Sequence, residues 1–323
     1  MQAIRVHESG GPEVLRYEQL PTPTPGPDDV LVKLDASGVN YVDIYQRSGL
    51  YKMSLPYTPG SEGAGTVAAV GANVRDVRAG DRVGYCGSLG AYATHAVVAA
   101  SRVVVLPEAI DTTKAAALML QGITAHYLCH STYPLKKGDA ALIHAAAGGV
   151  GLLLVQMAEM LGARVLATVS TEAKAALARE AGADEVILYT EQDFEKEVKR
   201  LTGGRGVQVV YDSVGKTTFD QSLNCLAPRG YLVLFGQASG PVPPLDPQVL
   251  MHKGSLFLTR PTMGNYIATR EDLTSRANDV LGWAASGTLR VRIDRTFPLA
   301  RAADAHRALA GRGTSGKLLL LPG

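Results

Sequence analysis

From Ala140 onward, apolar runs of strand length alternate with stretches of helical periodicity. Ala140-Ala141-Leu142-Ile143 is the first run, and Leu152 to Leu161 is an apolar segment long enough for a helix. Arg164 to Val169 then reads as a β-branched strand, Thr171 to Ala181 as a helix, Glu185 to Leu188 as a strand and Glu191 to Leu201 as a helix. Val207 to Tyr211, Tyr231 to Phe235 and Ser255 to Thr259 supply further strands, with a helix over Lys216 to Leu226. Strands alternating with helices predict an α/β fold with a doubly wound parallel sheet and right-handed crossovers.

Between the first strand and its helix stands Ala145-Ala146-Ala147-Gly148-Gly149-Val150-Gly151. A helix N-terminus presents unpaired N–H groups and the positive end of its dipole, so a turn of small residues there lets a pyrophosphate approach the backbone. Ala146-x-Gly148-x-x-Gly151 fits the dinucleotide fingerprint with alanine in the first glycine position, which makes Ala147, Gly148, Gly149, Val150 and Gly151 candidate cofactor contacts.

An acidic residue after the second strand would hold the 2′-hydroxyl of NAD. This chain has Ser170-Thr171 there, followed by Lys174, and a hydroxyl with a nearby cation suits a 2′-phosphate. NADPH is therefore the expected cofactor. Lys174 is either a phosphate contact or a solvated helix lysine, and Tyr189 either lies against the same phosphate or covers the sheet edge.

Residues 1 to about 120 have another texture, with short strands, the stiff Pro21-Thr22-Pro23-Thr24-Pro25-Gly26-Pro27 connector and frequent glycines. They predict a small, bent β barrel. At 323 residues the chain exceeds a single core, and a formal charge of +2 with interleaved signs argues against a nucleic-acid stripe. The apolar stretch Val150 to Ala158 is too short to span a bilayer, and the N-terminal residues have no signal-peptide pattern, so a cytoplasmic location is expected. Three scattered cysteines and seven scattered histidines give neither a disulfide framework nor a metal-ligand spacing.

Gly38-Val39-Asn40-Tyr41-Val42-Asp43, Pro59-Gly60-Ser61-Glu62-Gly63-Ala64-Gly65, Gly80-Asp81-Arg82-Val83 and the glycine turn, in that order, resemble the medium-chain dehydrogenase/reductase superfamily. Arg47-Ser48-Gly49-Leu50-Tyr51, Val210-Tyr211-Asp212-Ser213-Val214-Gly215 and Leu258-Thr259-Arg260-Pro261 narrow the resemblance to its NADPH:quinone oxidoreductase, zeta-crystallin-like branch. The resemblance implies a GroES-like catalytic domain over residues 1–122, a Rossmann domain over 123–259 and a C-terminal return over 260–323.

It also implies the chemistry. Zinc alcohol dehydrogenases of the superfamily carry a cysteine where this chain has Asn40 and a histidine where it has Ser61, so no metal is expected. Asn40 is the expected partner of the nicotinamide, with Asp43 supporting its loop. Asn40 is alternatively a helix N-cap. Tyr45 and Tyr51 are expected to line the acceptor pocket or else to pack. Thr124, Ser213, Phe235, Gly236 and Arg260 fall where cofactor contacts are expected, Arg260 being alternatively an ion-pair residue.

NADPH-dependent quinone reduction is the implied activity, with reduction of the double bond of enones or 2-alkenals, or a non-enzymatic NADPH-binding or RNA-binding role, as the competing readings. A homodimer through the apolar edge Ser255 to Thr259 is expected.

Overall fold

The computed structural model describes residues Met1–Gly323, in two units: Met1–Ile123 with Ile267–Gly323, and Thr124–Tyr266. The first unit opens with an antiparallel pair, β1 (Gln2–Val6) and β2 (Leu15–Gln19). The long strand β3 (Asp29–Val39) runs into helix α1 (Tyr41–Arg47), followed by β4 (Glu62–Val70), β5 (Arg82–Cys86), β6 (His95–Ala99), β7 (Val103–Val105) and helix α2 (Thr112–Tyr127). Strand β3 pairs with β4 and β6 through register shifts in the β3–β4 ladder, the local irregularity that lets one sheet bend around a core of Val30, Val32, Val67, Val83 and Tyr85.

The second unit is a six-stranded parallel sheet. Its elements are β8 (Ala140–Ile143), α3 (Gly149–Met160), β9 (Arg164–Val169), α4 (Glu172–Glu180), β10 (Glu185–Leu188), α5 (Phe194–Leu201), β11 (Val207–Asp212), α6 (Phe219–Asn224), β12 (Leu226–Leu234), α7 (Gln248–His252), β13 (Phe257–Thr259) and α8 (Met263–Tyr266). The strand order β10-β9-β8-β11-β12-β13 reverses direction between β8 and β11, the switch point at which open sheets of this kind bind ligands. Each ladder is parallel and its central strands are buried, as the unbroken apolar runs require.

The doubly wound sheet expected from periodicity is present, and the differences lie at helix starts and turns. Helix α5 begins at Phe194 because the Asp193 carboxylate accepts the N–H groups of Glu195 (3.0 Å) and Lys196 (3.2 Å), which leaves Glu191 and Gln192 outside it. Strand β13 starts only at Phe257, since Ser255 adopts φ 57°, outside the extended region.

The chain then returns to the first unit through α9 (Arg270–Ala285), β14 (Ile293–Pro298), α10 (Ala302–Ala310) and β15 (Lys317–Leu321). The C-terminal return implied by the resemblance would make Lys317 to Leu320 an edge strand, but β15 is an interior strand, parallel to β14 on one side and antiparallel to β3 on the other. Four consecutive leucines need both faces covered, and the lysine that precedes them is buried with them.

Candidate active site

The cofactor end of the second unit is built on backbone. Gly148 precedes α3 with no side chain capping the helix, and the first intrahelical bond is Leu152 N–H to the Gly148 carbonyl (2.9 Å). The N–H groups of Gly149, Val150 and Gly151 are therefore outside the helical ladder and available to an anion. A Cβ on Gly151 would lie 2.8 Å from Ala146 Cα, so the third glycine is required for α3 to pack against the turn. At Gly148 the only neighbour would be the Ala145 carbonyl oxygen at 3.1 Å, so this glycine keeps open the space outside the turn.

The other candidate cofactor residues gather at the carboxyl ends of the same strands. Ser170 follows β9, Lys174 lies in the first turn of α4, and Thr190 Oγ1 donates to the Ser170 carbonyl (3.1 Å), which sets the loop of Tyr189 beside Ser170. Tyr189 is exposed. Phe235 N–H donates to the Asp212 carbonyl (2.8 Å), joining the ends of β11 and β12, and a Cβ on Gly236 would lie 2.8 Å from Ser213 Cα. Arg260, directly after β13, donates to the Leu234 carbonyl (3.1 Å), so Ser213, Phe235, Gly236 and Arg260 form one cluster. Thr124 is buried in α2 at the start of this unit.

Beneath the turn, His144 bridges the Thr168 hydroxyl (2.9 Å) and the Ser222 hydroxyl (3.0 Å), and Ser222 donates to Asp212 (3.2 Å). Burial lowers the His144 pKa, so the ring is a neutral spacer between strand ends.

In the first unit the residues around Asn40 form a dense polar cluster. The Lys317 ammonium, 0% exposed, is ion-paired with the equally buried Glu62 and donates to Asn40 Oδ1 (2.8 Å). Glu62 also accepts the Asn40 amide N–H (3.0 Å) and the backbone N–H of Leu120 in α2 (2.6 Å). Gln121 donates to Asn40 Oδ1 as well (3.2 Å). Both ends of the Asn40 amide are thus committed to the interior of the unit. Gly38 makes room for the ion pair, since a Cβ there would lie 2.7 Å from Lys317 Cε.

Asp43 forms a second, adjoining cluster. It accepts the Asn40 backbone N–H (2.8 Å), closing the start of α1 as a capping residue, together with the Tyr92 hydroxyl (3.0 Å) and the Ser61 hydroxyl (3.4 Å). Complete burial raises the Asp43 pKa to about 7 against the opposing pull of the Asn40 N–H, Tyr92 and Lys317. Tyr45 and Tyr51 meet edge to face with ring centroids 5.3 Å apart, Tyr45 buried and Tyr51 partly open.

Residues 149–278 match the zinc-binding dehydrogenase family and residues 26–108 the alcohol dehydrogenase GroES-like domain. The chain is 49% identical over 315 residues to the quinone oxidoreductase of Pseudomonas aeruginosa, with 97% of each chain covered. The chain belongs to the quinone oxidoreductase branch of the medium-chain dehydrogenase/reductase superfamily. Escherichia coli quinone oxidoreductase, solved in complex with NADPH, superimposes with a TM-score of 0.98 at 44% identity over the whole of both chains. A 2-haloacrylate reductase from Burkholderia is 41% identical over 330 residues, covering 100% of this chain and 99% of the relative.

Within this family framework the residues that sequence reasoning passed over are Lys317, Gln121, Tyr92 and His306. One signal for Lys317 was present, a lone cation opening the otherwise apolar Leu318 to Leu321 run. For Tyr92 and His306 there was none, since each acquires its role only from distant partners.

Proposed function

We propose that this chain is an NADPH-dependent, metal-independent quinone reductase. The observation that carries the reading is the donor set of the first unit. Where a metal site would need thiolate and imidazole it has the Asn40 amide and the Ser61 hydroxyl, and the Asn40 oxygen already faces the Lys317 ammonium. A second cation beside Lys317 would be repelled, and amide and hydroxyl oxygens are poor ligands for zinc.

The residues present fit the cofactor. The N–H groups of Gly149, Val150 and Gly151 would hold the pyrophosphate beside Ala147 and Gly148, and Ser170, Lys174 and Tyr189 would surround the 2′-phosphate. Thr124, Ser213, Phe235, Gly236 and Arg260 would hold the nicotinamide half. When bound, NADPH supplies the hydride. The Tyr45–Tyr51 pair offers an aromatic wall and phenol donors to a flat acceptor, while Asn40, held by Lys317 and Glu62, fixes the floor of the acceptor site and Asp43 the start of α1.

A quinone accepts hydride without Lewis-acid help because its carbonyls are conjugated. The similarity to a 2-haloacrylate reductase favours activated carbon–carbon double bonds as the second reading. Steady-state NADPH oxidation against benzoquinones, naphthoquinones and 2-alkenals tests both, with turnover expected for quinones. In the same assays Lys174→Ala is expected to raise KM for NADPH about tenfold, the equivalent of ~1.4 kcal/mol, and to leave KM for NADH unchanged. No quinone turnover by the wild-type protein would overturn the reading.

The proposal includes a homodimer. Strand β13 is the sheet edge, with Phe257 stacked on Tyr231 (4.5 Å) and Phe257 and Leu258 exposed. A twofold axis through this edge would pair β13 with its copy and cover both residues. Sedimentation at micromolar concentration is expected to give the dimer mass for the wild type and the monomer mass for Leu258→Asp; a wild-type monomer removes the dimer from the proposal. No helix is long and apolar enough to cross a membrane. The three cysteines are buried free thiols, which supports a reducing, cytoplasmic setting.

A further inference from the structure

Reduction by hydride leaves a negative charge on the acceptor oxygen, and a proton must follow it. Asp43 is fully buried, so any proton it releases must leave through a hydrogen-bonded neighbour. The directions of the hydrogen bonds that end on its Oδ2 follow from Arg47. Arg47 approaches His306 Nδ1 (3.4 Å) with a guanidinium N–H that can only donate, so Nδ1 is the acceptor and the neutral ring carries its hydrogen on Nε2. That hydrogen is given to the Tyr92 oxygen (3.0 Å), and Tyr92 in turn donates to Asp43 Oδ2 (3.0 Å). The Asn40 backbone N–H occupies the same oxygen.

Neither Tyr92 nor the Asn40 N–H is free to accept from a protonated Asp43. The remaining partner is Ser61, on Oδ1, and a hydroxyl can reverse. Ser61 is also the least enclosed of Ser61, Asp43, Tyr92 and His306: it is 7% exposed and the other three are 0% exposed.

We propose that Asp43 and Ser61 deliver the proton of the reaction, the Asp43 acid passing its proton to Ser61 Oγ as Ser61 gives its own hydroxyl proton to the oxyanion of the reduced acceptor. The bonds balance. The Asp43 O–H and the Ser61 O–H break, a new Ser61 O–H and the product O–H form, and Asp43 is left as a carboxylate that solvent reprotonates through Ser61 after product leaves. The Arg47–His306–Tyr92 chain holds Oδ2 and does not move protons in this scheme. It is a positioning device that confines the labile proton to Oδ1.

The surroundings of Asp43 are consistent with an acid that cycles near neutrality. Burial raises its pKa to about 7, Glu62 adds to the rise, and Lys317 from β15 opposes it. Tyr57 is pushed up to about 12 by burial and by Asp43, and His306 is depressed to about 3 by burial and Arg47, so neither competes for the proton.

The inference rests on the oxidoreductase reading above, deepens it, and fails separately from it. Wild-type kcat is expected to fall as pH rises through about 7, because the acid form of Asp43 is lost, and to show a normal solvent deuterium isotope effect. Ser61→Ala should lower kcat about a hundredfold, leave the Kd for NADPH within twofold, and abolish both the pH limb and the solvent effect. Ser61→Thr, which keeps the hydroxyl, should restore them. An active wild type whose pH limb and solvent effect survive in Ser61→Ala, or a Ser61→Thr no better than Ser61→Ala, overturns the relay alone. A wild type that binds NADPH but passes hydride to no acceptor overturns the oxidoreductase reading and the relay with it.

Discussion

Replacing Lys317 with methionine is expected to destabilise the first unit by about 3–5 kcal/mol, the usual consequence of leaving one partner of a buried ion pair uncompensated. Glu62 has no route to solvent and would retain only the Asn40 amide and the Leu120 N–H as partners. Adding Glu62→Gln should recover most of the loss, because the neutral amide still accepts from Leu120 and no longer carries a buried charge. Denaturant unfolding followed by tryptophan fluorescence at Trp283, which lies in α9 of this unit, measures both variants. A Lys317→Met protein within 1 kcal/mol of wild type, on the order of a surface change, would show that the pair is not what holds the cluster.

Gly148→Val is expected to weaken NADPH binding at least a hundredfold, about 2.8 kcal/mol, while the melting temperature of the second unit changes little. A Cβ added there meets only the Ala145 carbonyl oxygen, at 3.1 Å, within the protein, and the valine side chain would fill the space through which the pyrophosphate must reach the N–H groups of α3. Gly151→Val should differ in kind. Its Cβ falls 2.8 Å from the Ala146 backbone, so α3 must move and both NADPH affinity and melting temperature fall. Calorimetric titration with NADPH and differential scanning calorimetry on the same two proteins separate the ligand-facing glycine from the packing glycine. Equal loss of stability in both would refute the distinction.

These contrasts show what local sequence carries. The run Ala140 to Ile143, the glycine turn and the apolar helix after it are neighbours in the chain, so their periodicity and the absence of side chains in the turn describe the finished structure directly. The same holds for the N-cap reading of Asn40, since helix α1 begins directly after it with Asp43 three positions on. Boundaries were less legible where a side chain decided them, as at Asp193, whose carboxylate starts α5 later than the hydrophobic pattern suggests.

Partnerships across the chain left no local trace. Asn40 reads as a residue facing the nicotinamide or as a cap, and nothing near it in sequence announces that its amide is held by Lys317, 277 positions away. Tyr92 and His306, 214 positions apart, meet only because the loop before β6 and helix α10 belong to one unit, and their contact holds the Tyr92 hydroxyl on one oxygen of Asp43. The succession of strands and helices along the chain and the cofactor turn are local facts, written in periodicity and residue type, and the loss of metal-type ligands at Asn40 and Ser61 is legible there through the family resemblance. The charge on a buried lysine, the direction of a hydrogen bond and the acidity of a carboxyl depend on desolvation and on partners supplied by distant segments, so they come into being only when the chain has folded around them.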